Sequence, residues 1–487
     1  MADTRPRIPV LLLLAAMNAS VAGALAAGSS AAPAGAGEAL FCEDFDGPGR
    51  LADTWSGIGG ATAERGPDTA AGSVGGGPDA DARPAGVAGD ALRIETPAGG
   101  MVCTKPLDPA PPFIRGERVR LCLRADDASA ETPLHIEIRF PCRDRRAWWW
   151  RKVTLTAPGW QAVEAPLRYF RASEGAYPAW EDVNRFALYF RRQTTVWLDG
   201  IEVTRGTGEA PAVLSPADLA AIAFPGGRAV RSLPRDPFVL LTDSPDLDAD
   251  ATLDALEAMY GRLRADFPSW PRPARPAPLI VFATRDDYRA FWPRFGRLLN
   301  AEAPAPTAGG YSMMGIASSY YKPYEGGFRP VYPHEACHAL LEQILGLASH
   351  GEWLHEAIAN RCQMAVAGQD IRRLVRQGLD DASYRDPLGQ LLNGKQIGMT
   401  RYWQAVSILE WLTHDEALNA KFLEAVRQMR RRGSTDLGPL AEPVFGMTPD
   451  QMDEAWRAWA ERQLAGEHQD GEAGGRGGGA RPDGGTP

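Results

Sequence analysis

Hydrophobic residues recur with two different periods along this chain. Between residues 38 and 205, apolar and polar residues alternate in short runs such as 119–123 and 135–140, with Gly, Pro and Asp between the runs. A period of two is typical of strands that bury one face. After residue 236, short strand-like runs give way to stretches with apolar residues three and four apart, which is typical of helices. We expect a multidomain chain, with an all-β sandwich followed by an α+β, mostly helical domain.

Changes in composition mark the boundaries between these regions. The first residues carry Arg5 and Arg7, a short apolar run and an Ala-Leu-Ala exit, a pattern that predicts a secretory signal. The last residues are almost wholly Gly, Pro and charged, so they cannot bury a core. The expected regions are a signal peptide at 1–27, a β-sandwich at 38–205, a Pro- and Ala-rich linker at 206–235, a second domain at 236–465 and a disordered tail at 466–487.

Charge and cysteine content narrow the possible partners and the compartment. The 487 residues carry a net charge of −9 without a Lys or Arg stripe, which argues against nucleic acid. After the signal, no stretch approaches the roughly 20 apolar residues that span a bilayer, so we expect no membrane span. An even number of cysteines fits an oxidising compartment, so we expect a secreted or periplasmic protein with disulfides within each half. The cysteines are Cys42, Cys103, Cys122 and Cys142 in the first half, and Cys337 and Cys362 in the second.

The second domain contains an HExxH motif, formed by residues 334–338. Helical residues four apart share a face, so the imidazoles of His334 and His338 can hold one ion while Glu335 lies beside it to transfer protons. Pro333 suits the first turn of this helix, and Gly346 is a natural end. The motif predicts a Zn²⁺ site.

A third ligand is expected from a second helix. Ser349 and Glu352 have the spacing of a capping box, and Gly368 marks a plausible end. Within that helix, Glu356 is the best candidate ligand because a crossing helix can bring its carboxylate to the ion and leave one position open for water. Asn360 lies one turn further on the same face, where its amide could hydrogen-bond a ligating histidine.

Other side chains compete for these roles. His355 is adjacent to Glu356, but neighbouring helical residues point about 100° apart, so one of the two must face away. Cys337 could in principle bind metal, although a buried thiol or a disulfide to Cys362 is the preferred interpretation in an exported protein. A hydroxyl donor for the transition state is also expected, and the spacing does not choose among four tyrosines. These are Tyr320, Tyr321, Tyr384 and Tyr402.

The motif pair resembles a known family. An HExxH helix followed by a Trp353-Leu354-x-Glu356 helix is similar to the gluzincin metallopeptidases, particularly the bacterial peptidase-MA-like group. The resemblance implies a zincin-like domain, opening with the strands at 238–243 and 278–283, in which residues 309–312 form the edge strand along the substrate cleft. It implies hydrolysis of a peptide or protein substrate by zinc-activated water, with Glu335 as the general base. Ala357 stands where such families often have glycine, which leaves the subfamily and the substrate open.

The first half resembles a different group of proteins. Its order of short motifs, from Phe41-Cys42-Glu43-Asp44 to Leu198-Asp199-Gly200-Ile201, is similar to the galactose-binding-like jelly rolls found as carbohydrate-binding modules. The resemblance implies a possible polysaccharide or cell-surface ligand and a structural Ca²⁺. Candidate calcium ligands are Glu43, Asp44 and Asp199, for which ordinary turn residues are an equal alternative. Residues 148–150 are three consecutive tryptophans, which either stack on a sugar ring or pack between domains.

Three hypotheses of function follow from these patterns. The leading one is an exported zinc metallopeptidase. The second is a noncatalytic surface- or carbohydrate-binding protein in which zinc only stabilises the fold. The third is zinc-dependent hydrolysis of a nonpeptide amide, which the same residues would serve. Intact Glu335 favours chemistry, since a structural site has no use for a carboxylate beside an open coordination position.

Overall fold

The structure is a computed structural model that describes residues 38–43, 45, 54–67, 90–143, 146–323 and 329–473, without the side chains of 66, 67 and 465–473. The predicted signal peptide lies outside the described residues. Among the described helices, none combines the length and the apolar character that crossing a bilayer requires.

The first region is a sandwich of two six-stranded antiparallel sheets. One sheet has the order β3-β4-β12-β6-β9, with β1 also paired to β12, and the other has the order β10-β8-β7-β11-β5-β2. The strands are β1 (Ala39–Glu43), β2 (Trp55–Ile58), β3 (Thr62–Pro67), β4 (Asp90–Thr96), β5 (Met101–Thr104), β6 (Gly116–Arg124), β7 (Leu134–Pro141), β8 (Trp148–Leu155), β9 (Trp160–Pro166), β10 (Arg171–Ala172), β11 (Ala187–Phe190) and β12 (Thr194–Arg205). The expected β-sandwich is confirmed.

The three tryptophans of β8 show the alternation of a strand. Trp149 points into the sandwich core, where it stacks on Trp180 with ring centroids 5.4 Å apart. Trp148 and Trp150 are half-buried, and each lies under a guanidinium group, Arg139 at 5.0 Å and Arg171 at 4.7 Å. Packing within the protein therefore accounts for one ring fully and for the other two in part.

The second region is built on a five-stranded sheet in the order β13-β14-β15-β17-β16. The strands are β13 (Arg231–Arg235), β14 (Phe238–Thr242), β15 (Ala277–Phe282), β16 (Gly310–Met313) and β17 (Ile316–Tyr320). The central strands are buried on both faces: Leu240 and Leu279 belong to one core cluster, and Leu241 and Ile280 to another on the opposite side. This explains why the central strands read as continuous apolar runs rather than as alternating ones.

Helices cover both faces of that sheet and supply most of the second region. They are α1 (Pro216–Ala223), α2 (Ala249–Asp266), α3 (Arg285–Leu298), α4 (Val331–Leu345), α5 (Trp353–Ala367), α6 (Arg372–Asp380), α7 (Tyr402–Thr413), α8 (Glu416–Arg432) and α9 (Pro449–Ala473), with short turns at Leu388–Leu391 and Gly438–Leu440. The expected helical region after the sandwich is confirmed.

The structure adds detail at two predicted boundaries. Within the expected linker at 206–235, α1 packs Leu219 and Ala223 against the sheet and β13 pairs with β14. The last helix continues to Ala473, so the segment 466–473 is helical rather than disordered. A helix with an apolar face anchored by Met452 and Trp456 can extend beyond its last core contact despite a poor composition. Residues 474–487 lie outside the described residues.

None of the six cysteines, all of which lie among the described residues, is in a disulfide, so the prediction of disulfides is wrong. In the sandwich, Cys42 and Cys122 lie on strands β1 and β6 of one sheet, while Cys103 lies on β5 of the other. Cys337 and Cys362 do meet, as neighbouring helices predict, but they share a thiol hydrogen bond instead of an S–S bond.

Candidate metal centre

Helix α4 carries two imidazoles on one face and packs its other face into the hydrophobic core. His334 and His338 lie four residues apart, and their Nε2 atoms face each other at 3.1 Å. The opposite face, including Ala336 and Leu340, packs into the main core of the second region. Gly346 ends the helix in the left-handed conformation at φ 65°, as predicted.

Helix α5 brings the carboxylate of Glu356 to these imidazoles. Its oxygens lie 3.6 Å from Nε2 of His334 and 3.5 Å from Nε2 of His338. Ligand atoms placed 2.0–2.1 Å from zinc at tetrahedral angles are about 3.3 Å apart, so the three observed separations fit one such ion. Among the described residues, this is the one group of three or more His, Cys, Asp or Glu side chains that could hold a metal.

Burial shifts the pKa values of these three side chains in directions that suit cation binding. It lowers the pKa of His334 to about 4 and holds the pKa of His338 well below its usual range, so both rings are neutral, as metal ligation requires. Burial, with a smaller contribution from Glu352, raises the pKa of Glu356 to about 7. A buried carboxylate beside two bare ring nitrogens lacks a compensating positive charge, which a divalent cation would supply.

The side chains that orient the ligands differ from the prediction. The amide of Asn360 donates to the Oε2 atom of Glu356 at 3.3 Å and to its backbone oxygen at 2.8 Å, not to a histidine. Nδ1 of His338 instead lies 3.3 Å from the hydroxyl of Ser349. Asn360 follows Glu356 by one helical turn, so the ligand on its own helix is closer than one on α4.

The predicted capping box is also wrong. Helix α5 begins after Glu352 without a side-chain cap, because the carboxylate of Glu352 accepts from the backbone of His350 and the hydroxyl of Ser349 is used by His338. The amide N–H of Ser349 donates to Glu342 of α4 at 2.9 Å. These bonds fold the connection between the two helices back onto the metal site.

His355 does not belong to the cluster of three candidate ligands. It is fully buried, lies 3.7 Å from the carboxylate of Glu352 and stacks on His338 at a centroid distance of 6.0 Å. The preference for Glu356 over its neighbour agrees with this geometry. The indole of Trp353, at the start of α5, donates to the backbone oxygen of Thr435 at 2.9 Å and fixes the helix against a distant part of the chain.

Glu335 lies between the cluster and edge strand β16. Its side chain contacts Gly310 so closely that a Cβ atom there would lie 2.5 Å from its Cγ atom, and Ser312 hydrogen-bonds its carboxylate. Burial and the nearby carboxylate of Glu356 raise the pKa of Glu335 to about 8. A carboxyl group that can exchange a proton near neutral pH therefore lies beside the cluster without belonging to it.

The four candidate tyrosines have different environments in the structure. Tyr402, at the start of α7, hydrogen-bonds Glu356, and burial together with that carboxylate raises its pKa far above the usual range. Tyr384 is 45% exposed on the surface, while Tyr320 and Tyr321 pack in apolar clusters. Tyr402 is thus the tyrosine whose protonated hydroxyl lies at the centre.

Strand β16 borders a recess of about 350 Å³. The lining of this recess includes Ser349 but not the three candidate ligands, Glu335 or Tyr402. Tyr311 and Met313 of β16 and Ser349 form one side, while Trp150 and Glu174 of the sandwich form the other. The sandwich therefore contributes a wall of a recess that reaches Ser349, which contacts His338, and the sequence patterns did not indicate this.

The sandwich also holds the connection between α4 and α5. The 175–177 loop, which comprises Gly175, Ala176 and Tyr177, pairs with residues 346–348 through Tyr177 N–H to Gly346 oxygen at 3.0 Å and Ala348 N–H to Gly175 oxygen at 3.3 Å. The same connection carries Ser349, which contacts His338. The position of one ligand thus depends on the sandwich.

The proposed calcium ligands do not form a comparable cluster among the described residues. Glu43 accepts from the backbone of Phe45 at 3.3 Å, and the buried Asp199 accepts from the backbone of Gly200 at 2.7 Å. Asp44 lies outside the described residues. Calcium stays a prediction from the sequence.

No protein-family model and no curated protein matches this chain. Similar solved structures include a family 11 carbohydrate-binding module from Clostridium thermocellum, in complex with a mixed-linked tetrasaccharide, at 14% identity and a TM-score of 0.25, covering 36% of this chain and 100% of that chain. The CBM22-1 xylan-binding domain from Paenibacillus barcinonensis Xyn10C matches at 15% identity and a TM-score of 0.24, covering 36% and 99%. Sugar binding is a property of those modules. The β-sandwich fold of this chain is established from its own strands.

Proposed function

We propose that this chain is an exported zinc-dependent metallopeptidase. The observation that carries the proposal is the position of Glu335, which lies beside the cluster of His334, His338 and Glu356 but outside it. A site that only stabilises a fold uses its carboxylates as ligands, whereas a hydrolytic site needs a separate proton acceptor.

In this proposal His334, His338 and Glu356 hold the zinc ion. When bound, zinc activates a water molecule and polarises the substrate carbonyl. Glu335 accepts the proton of the attacking water and returns it to the leaving amine. The pKa of this carboxyl, raised by burial, would fall beside a cation, which suits a group that both takes and gives a proton near neutral pH.

Tyr402 is the proposed donor to the developing oxyanion. Its raised pKa keeps the hydroxyl protonated, and its hydrogen bond to Glu356 places it beside the metal ligands. A donor that is already oriented stabilises the charged transition state without a reorganisation cost.

A peptide is the substrate class that edge strand β16 supports best. It pairs with β17 on one side only in the described sheet, so its other side can accept an extended chain. The recess between β16 and the sandwich would receive a substrate side chain.

The test compares wild type, Glu335→Gln and the exposed control Glu461→Gln on a mixed peptide library, with zinc content measured for each protein. We expect one zinc in all three and a loss of cleavage of about 10²- to 10⁴-fold in Glu335→Gln only. Equal cleavage by Glu335→Gln would refute its role. A zinc-loaded wild type that cleaves no peptide would favour the noncatalytic hypothesis.

A further inference from the structure

A second cavity lies away from the metal centre, where the sandwich meets α1 and the sheet of the second region. Its volume is about 280 Å³. Apolar side chains from both regions form most of its wall, among them Phe170, Trp180, Leu219, Phe295 and Ile316. This volume lies near the lower end of the range for small-molecule sites, about 300–1,000 Å³.

Four residues of the lining each carry a buried polar atom without a partner in the part of the chain that the structure describes. The indole nitrogen of Trp149, the Nε atom of Arg168, an Nη atom of Arg275 and the amide oxygen of Gln343 are buried without a hydrogen-bond partner among the described residues. Trp149 is only 5% exposed, so solvent does not reach its N–H group. Buried polar groups are normally satisfied, and leaving them unpaired costs free energy.

The charge of the lining favours an anion. Arg275 forms no ion pair among the described residues, and Arg168 has one distant partner, Asp218 at 3.6 Å. Burial raises the pKa of the neighbouring Tyr177 to about 12, so that hydroxyl stays neutral and donates to the backbone of Met314 at 3.4 Å. No carboxylate among the described residues lines the cavity to neutralise the guanidinium group of Arg275.

We propose that this cavity binds a small carboxylic acid with an apolar body. The carboxylate pairs with the guanidinium group of Arg275, a donor of the kind that anions prefer. The apolar body packs among the aromatic and aliphatic side chains, where burial supplies most of the affinity. The amide nitrogen of Gln343 can donate to a carboxyl oxygen.

This ligand site is separate from the proposed peptide cleft. Tyr177 and Met314 border both this cavity and the recess beside β16, so they form part of the wall between them. The proposal therefore does not depend on peptidase activity.

The experiment uses the full chain and decanoate as the probe, with binding measured by calorimetry and by the fluorescence of Trp149 and Trp180. We expect saturable one-to-one binding of decanoate and much weaker binding of decanol, which lacks the charge. Arg275→Gln should weaken decanoate binding about tenfold or more. The control Arg272→Gln changes an exposed arginine outside the cavity and should bind like wild type.

A second variant allows the proposal to be tested even if Arg275→Gln fails to fold. Ala212→Leu would fill part of the cavity without touching its polar atoms, and it should abolish binding while zinc content stays unchanged. Equal affinity of wild type and Arg275→Gln for decanoate, equal binding of decanol and decanoate, or no saturable binding would overturn the proposal.

Discussion

At the scale of single residues, the metal centre depends on groups that the chain brings together from far apart. His334, His338 and Glu335 share one helix, so their relation follows from helical spacing and could be predicted. Tyr402 and Ser349 reach the centre through tertiary packing, and no local pattern distinguishes Tyr402 from Tyr384. Burial decides between the two tyrosines, and burial is a property of the fold.

The role of Tyr402 gives a prediction at this scale. Tyr402→Phe removes only the hydroxyl, so we expect peptide cleavage to fall about 10²- to 10³-fold in kcat while KM and zinc content change little. Steady-state kinetics and metal analysis measure both quantities.

The matched control is Tyr384→Phe, because that side chain is 45% exposed and distant from the ligands. An equal loss in both variants, or loss of zinc from Tyr402→Phe, would show that Tyr402 acts on the fold instead of on the reaction.

At the scale of elements, strand β16 and helix α4 approach so closely that only glycine fits between them. A Cβ atom at Gly310 would lie 2.5 Å from the Cγ atom of Glu335 and 2.6 Å from its Oε1 atom. With a Cβ atom at Gly310, either strand β16 or the carboxylate of Glu335 would have to move. The position of the proposed general base is therefore set by a residue that has no side chain.

We predict that Gly310→Ala lowers peptide cleavage about 10²-fold while zinc stays bound, since a shift of about 1 Å in a reacting group has an effect of that size. Gly261→Ala is the control, because a Cβ atom there meets nothing within 4 Å. Unchanged cleavage by Gly310→Ala would mean that Glu335 does not need its present position.

The elements themselves were largely predictable, and their ends were less so. Gly346 and Gly368 end α4 and α5 in the left-handed conformation, as expected from glycine at those positions. The prediction for the start of α5 is wrong because Ser349 and Glu352 have the spacing of a capping box but use other partners. Ser349 contacts His338, and Glu352 accepts from the backbone of His350. Cap residues near a functional site have competing partners that the sequence does not reveal.

At the scale of the whole molecule, the sandwich and the second region act on the same site. The described residues from Ala39 onward form one compact unit, and the 175–177 loop pairs with the connection between the two helices that carry the candidate ligands. Periodicity separates a β region from a helical one, because each element has its own pattern. It cannot show that one region holds a loop of the other, because that contact is not local.

Gly175 provides a test of this contact. It has φ +73°, and a Cβ atom there would lie 2.3 Å from the backbone oxygen of Gly433. We predict that Gly175→Ala lowers the free energy of unfolding by about 2–4 kcal/mol, through left-handed strain and the clash, and weakens zinc binding. Thermal denaturation and zinc titration would measure the two effects.

Gly208→Ala is the matched control, since Gly208 also has a positive φ of +91° but meets nothing within 4 Å. Gly208→Ala should lower the free energy of unfolding only by the left-handed strain, about 1–2 kcal/mol, and should leave zinc affinity normal. Identical zinc affinity in the two variants would mean that the sandwich does not support the ligand helices.

The bond from the Trp353 indole to Thr435 has a consequence for biosynthesis. During synthesis the ligand residues leave the ribosome well before Thr435, so the second ligand helix lacks this anchor until the later segment has been made and has folded. Formation of the candidate metal centre is therefore coupled to synthesis of the segment around Thr435, which would delay the proposed peptide cleavage in the nascent protein.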